Sequence, residues 1–209
     1  MKKATSFSTQ GNSTSLGPLT IQRMLPNRYA GQVGPFVFLD YVAPAIKNEI
    51  TKKGMGAHPH RGIATLTYIL QGEVEHFDSA GNGGKIYSGG AQWMKAGNGI
   101  IHDENFNYDS QTDSKYIQGF QFWINLPAKN KAEKPEHIAI QANEVPQIAL
   151  KDESGLLKVI VFKSHSLVNT LSINPPISLI VRNSAYKPAE LIGSNDLISF
   201  LRDFFCSSQ

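Results

Sequence analysis

Apolar and polar positions between residues 64 and 124 fall into short runs, and glycines interrupt them at close intervals from Gly54 to Gly99. Ala64–Leu70, Glu73–Phe77 and Tyr116–Ile124 are rich in β-branched or aromatic residues, which predicts three strands. Asp78-Ser79-Ala80-Gly81-Asn82-Gly83-Gly84 predicts a hairpin loop, because glycine and asparagine tolerate the positive φ such turns need. Short strands at this spacing predict an all-β sandwich or barrel.

The texture changes after about residue 127. Pro127–Pro135 carries Lys129, Lys131, Glu133 and Lys134 and is expected to be a solvated connector. His137–Ile140 and Leu156–Phe162 read as further strands. The period then switches. Leu197, Ile198, Leu201, Phe204 and Phe205 recur at helical spacing behind Ser194 and Asn195, so residues 195–205 predict one short amphipathic helix. Two domains are expected, 1–135 and 136–209.

Composition narrows the class. The chain has 209 residues, 41% hydrophobic and 18% charged, enough apolar material to exclude a wholly disordered chain. No run approaches the roughly 18 apolar residues of a membrane span. Met1–Ser6 turns polar where a signal peptide needs its apolar region. A net charge of +3 without a Lys/Arg cluster gives no reason to expect direct nucleic-acid binding. The single Cys206 excludes an intrachain disulfide and a cysteine-rich metal site, and reads as a residue buried for its bulk. A cytoplasmic protein is the expectation.

Two triplets carry candidate chemistry: His58-Pro59-His60 and His102-Asp103-Glu104. On a strand, alternate residues share a face, so each triplet aims two ligand-type groups the same way while Asp103 points opposite. Three imidazoles and a carboxylate suit Fe(II), Mn, Ni or Zn better than Mg or Ca. Hydrogen-bonded core histidines would leave the same pattern, so spacing alone leaves both readings open.

The longer segments carry a resemblance. His58-Pro59-His60-Arg61-Gly62, Thr65–Glu73 and Gln92–Glu104 closely resemble the pirins, members of the cupin superfamily, as do Gly34–Asp40 and Gly119–Leu126. The resemblance covers about residues 17–165. It implies a jelly-roll cupin barrel over 1–135, with Fe(II) held by His58, His60, His102 and Glu104; Mn, Ni, Zn or Cu are alternatives. It implies chemistry of the quercetin 2,3-dioxygenase type on a flavonol or another chelating aromatic with O2, Glu104 moving a proton. Arg61, Gln92 and Gln121 are the candidate substrate contacts. The rival implication is a non-enzymatic, metal- or redox-sensitive regulator that binds a transcription factor or a metabolic enzyme. His76 is expected to have a structural role or to support the ligands, and His137 and His165 to be ordinary.

Two departures from the pirin pattern stand out. Ala64 occupies a position that is usually acidic in pirins, so a hydrogen-bonding role near the metal is expected to be missing there. The pattern also fades after about Lys163, and a second eight-stranded barrel needs roughly 80–100 residues. Residues 136–209 are therefore expected to form an abbreviated cupin-like domain ending in the helix, with its open strand edges favouring a homodimer.

Overall fold

A computed structural model describes residues 9–16, 19–149, 156–161 and 179–183. Strands β1 (Asn12–Leu16), β2 (Leu19–Leu25) and β3 (Phe36–Ile46) precede β4 (His58–His60), β5 (Ile63–Gln71) and β6 (Glu73–Asp78). Strands β7 (Gly83–Ile86), β8 (Ala91–Lys95), β9 (Ile100–Asn107), β10 (Tyr116–Asn125) and β11 (Glu136–Ile140) follow. They form two antiparallel sheets, ordered β1-β2-β3-β10-β5-β8-β11 and β4-β9-β6-β7. Between them, Ile21, Val42, Ile69 and Ile117 of the larger sheet meet Val74, Ile86 and Phe106 of the smaller one. The fold is all-β, of the cupin type.

Gly11–Glu144 forms one compact unit. The other comprises Met1–Gln10 and Val145–Gln209. In the second, β12 (Gln147–Ala149), β13 (Leu156–Val161) and β14 (Leu179–Asn183) make a three-stranded antiparallel sheet.

The strands expected at 64–70, 73–77 and 116–124 are β5, β6 and β10, and that at 156–162 is β13. The one expected at 137–140 is β11, which pairs with β8 and so belongs to the first unit. The hydrophobic pattern does not mark β3, because Leu39, Asp40, Tyr41 and Val42 are buried in succession and the alternation is hidden. Gly72 is the one residue between β5 and β6, where the chain crosses between sheets; its φ is +109° and a Cβ there would lie 2.7 Å from the Asn107 carbonyl. The helix expected at 195–205, with Cys206 and His165, lies outside the described residues.

The connector 127–135 differs from the solvated segment expected of it. Lys131 Nζ donates to the Gly62 carbonyl (2.8 Å), and Glu133 accepts from the buried Lys95 (2.9 Å). Glu136, at the start of β11, also pairs with Lys95 (3.1 Å). A buried ammonium needs anionic partners, and those carboxylates tie the connector to the barrel edge.

Candidate metal centre

The site begins with one cross-strand register. His58 on β4 lies opposite His102 on β9, and Glu104 on β9 lies opposite His76 on β6. Side chains of one row share a face, so these four groups enter the barrel interior together with His60. His58 Nε2 and His102 Nε2 are 3.1 Å apart. The His60 ring lies 4.9 Å from each of the other two rings.

Among the described residues, candidate donor atoms fall into two overlapping groups, each with its atoms within 4.8 Å of one another. One is His58, His60 and His102; the other is His76, His102 and Glu104. His102 is common to both, and its two ring nitrogens face different neighbours. Its Nε2 faces His58, and its Nδ1 lies 3.3 Å from His76 Nδ1. His76 Nε2 is held in turn by Asp78 Oδ2 at 3.1 Å.

The larger sheet supplies the wall opposite. Gln121, Thr67 and Gln92 occupy one row across β10, β5 and β8. Gln121 Nε2 donates to Glu104 Oε2 (2.8 Å) and Gln92 Nε2 donates to Glu104 Oε1. Two residues along β10, the Trp123 ring meets His60 edge-on at 4.9 Å and stacks on Phe38 at 4.3 Å.

Burial sets the charge states. It pushes His60 down to about 4 and His102 down to about 3, reinforced by the neighbouring histidines. Both imidazoles are neutral at pH 7 and offer lone pairs. Burial pushes Glu104 up to about 7, against the pull of the Gln121 amide. The carboxylate is 1% exposed, and its hydrogen-bond partners are uncharged amides. A divalent cation would supply a countercharge to the ionised carboxylate. The donor set fits a borderline transition metal.

The pirin family profile matches residues 18–124. This chain belongs to the pirin family. A pirin-like protein of Caulobacter vibrioides is 36% identical over 155 residues, covering 72% of this chain and 53% of that protein. A quercetin 2,3-dioxygenase from Acinetobacter baumannii, known from its crystal structure, is 31% identical with a TM-score of 0.70. That match covers 84% of this chain and 62% of the other. A bacterial pirin from Escherichia coli, solved in complex with nickel(II), shares the fold at 23% identity and a TM-score of 0.51, over 73% of this chain and 68% of its own. The chain spans about half the length of the curated relatives it matches.

Placed in this pirin barrel, the expected residues separate clearly. His58, His60 and His102 form one candidate donor group, whereas Glu104 is grouped with His76 and His102; Gln92 and Gln121 have their amides engaged by Glu104. Arg61 is exposed, at the rim of a shallow depression lined also by Pro59, His60, Ser79 and Ile101. Ala64 is a correction. It pairs in register with Lys95 and Ile124, on the same side of β5 as Leu66 and opposite to Thr65 and Thr67. A side chain at 64 therefore points away from the pirin site, and an alanine there removes nothing from the ligand surroundings. His137 is a second correction: its ring stacks on His76 at 4.0 Å, 3° from parallel, and its Nε2 lies 3.4 Å from Gln92 Oε1. Sequence carries no signal for that contact, because the β8–β11 register brings it about. His76, expected to be structural or to support the ligands, is itself a member of one candidate donor group.

Proposed function

We propose that this chain holds a divalent transition metal, Fe(II) in its working form, through His58, His60, His102 and Glu104, and oxygenates a flat chelating aromatic of the flavonol class. The observation that carries the reading is the clustering of His58, His60, His102, His76 and the buried Glu104 with their donor atoms in two overlapping groups. Similarity to the quercetin 2,3-dioxygenase from Acinetobacter baumannii supports the substrate class.

Bound Fe(II) supplies Lewis acidity toward a substrate hydroxyl and a coordination position for O2. The remaining roles fall to the protein. Glu104, the carboxylate of the donor set, is the group placed to accept the hydroxyl proton. Gln92 and Gln121 hold that carboxylate in place from the opposite sheet. Trp123, braced by Phe38, offers an aromatic surface beside His60 for a planar ligand. Arg61, exposed beside His60, is the candidate contact for an anionic group of the substrate. The single cysteine suits a reducing cytoplasm.

Metal analysis of purified protein, followed by oxygen uptake with quercetin, tests the reading. The expected result is about one metal per chain and coupled loss of quercetin and O2. A flavone lacking the 3-hydroxyl should be inert, since it cannot chelate. Protein that binds metal without consuming O2 would favour the regulatory alternative. Protein with no metal would overturn both.

A further inference from the structure

Strand β9 works on two faces. Its inward residues His102 and Glu104 belong to the donor groups, whereas Asp103, Asn105 and Asn107 alternate with them on the other face. That other face lies against the loop 47–57, which leads into β4 and delivers His58.

Each of the three outward residues grips the loop backbone. The Gly56 N–H donates to Asp103 Oδ1 at 3.0 Å. The Asn105 and Asn107 amides donate to the Thr51 carbonyl, and the Thr51 N–H donates to Asn107 Oδ1 at 3.0 Å. Lys47 Nζ reaches the Phe106 carbonyl (2.8 Å), Asn107 Oδ1 (2.7 Å) and Thr51 Oγ1 (2.8 Å). Between these anchors, the Met55 N–H donates to the Glu104 carbonyl at 2.9 Å. The fit is close: a Cβ on Gly54 would fall 2.3 Å from the Asp103 carboxylate, and Gly56 has a φ of +105°.

The clamp ends on a ligand. The Gly56 carbonyl lies 2.8 Å from His58 Nδ1, so that nitrogen carries the proton and donates. Nε2 is left as the lone-pair nitrogen, and Nε2 is the atom that faces His102. A continuous path thus runs from Asp103 Oδ1 through Gly56 to His58. His60 is held differently, by the edge of Trp123 and by pairing opposite Ile100.

We propose that Asp103 is a positioning residue that acts through Gly56 to set the tautomer and orientation of His58 as a metal donor. The inference rests on the metal reading for its purpose and on the hydrogen bonds above for its geometry. The same strand that presents two donors thereby fixes a third, both by pairing with β4 and through the loop 47–57 that leads into it.

Nickel(II) titration of Asp103→Ala and Asp103→Asn, in the full chain and with His58→Ala added, tests the proposal. Loss of an outer partner of a metal-binding histidine typically costs 10–100-fold in affinity. Asp103→Ala should show that loss, and Asp103→Asn should stay near wild type because its amide oxygen still accepts from Gly56. With His58 already replaced, Asp103→Ala should change nothing further. Nitrogen-15 spectra of the metal-free histidines should show a single Nδ1–H tautomer at His58 in wild type and a mixture in Asp103→Ala. Wild-type affinity in Asp103→Ala, or an equal loss without His58, would overturn the proposal. If wild type takes up no nickel, the metal reading fails on its own, and the His58 spectra alone decide the positioning role. Should Asp103→Ala fail to fold, Asp103→Ser, shorter by one bond, carries the same comparisons.

Discussion

His58 and His102 stand directly opposite one another on antiparallel neighbours, with their Nε2 atoms 3.1 Å apart. Two lone-pair nitrogens at that distance are poorly placed for each other unless a proton or a cation lies between them. His102 turns its second nitrogen to His76, so it links the two donor groups of the barrel.

That shared place ranks the ligands. His102→Ala should lower metal affinity more than His60→Ala, because it removes a member of both groups. Each loss should be at least 10–100-fold. Metal content after gel filtration, with affinity from competition against a chelator, checks the order.

Glu104 depends on its two amides. Gln92→Ala should leave the carboxylate with Gln121 as its remaining amide donor and push its pKa further above the usual carboxylate range. A hydrogen bond to a charged group contributes about 1.5–3 kcal/mol, so metal affinity should fall roughly 10–100-fold. Carboxylate infrared bands followed against pH, together with nickel titration, read both effects.

Ala64→Glu should harm the fold and leave the site alone. Ala64 is fully buried and faces away from the donors, so a glutamate would bring bulk and a buried charge into a close-packed layer. Thermal unfolding should show a loss of about 3 kcal/mol or more, softened by its cross-strand neighbour Lys95. Metal bound per folded molecule should not change.

Acid should destabilise the metal-free protein. His60, His102 and His137 are held at about 4, 3 and 4 in the fold, against 6.5 when free, by burial above all. The unfolded chain takes up their protons first, so stability present above pH 6.5 is lost as pH falls toward 4. Glu104, raised from 4.5 to about 7, acts oppositely, losing stability as pH rises through that window, but one group opposes three. The melting temperature in chelator should fall between pH 6.5 and 4.5. Metal-loaded protein should resist acid further, because protons and metal compete for the same lone pairs.

Much of the site was legible in sequence because strand geometry is periodic. His58 with His60, and His102 with Glu104, share a face by alternation alone, and Asp103 faces away for the same reason. The same alternation puts Ala64 with Leu66 and opposite Thr67; only the β5–β8 and β5–β10 pairings show that the Thr67 face is the one that carries Gln92 and Gln121. The connector at 127–135 differs from its expectation because charge density in sequence resembles solvation, whereas Glu133 is paired with the buried Lys95.

Local pattern therefore determined the strands β5, β6 and β10, the shared faces of His58 with His60 and of His102 with Glu104, and the β-barrel class, since each depends on side-chain alternation within a few residues. Tertiary structure alone decided what faces those donors. Gln92 and Gln121 reach Glu104, His137 stacks on His76, and Asp103 holds Gly56, each across gaps of 12 to 61 residues. No local periodicity encodes such contacts. They follow from strand order and register, set by how the two sheets bury their apolar faces against each other.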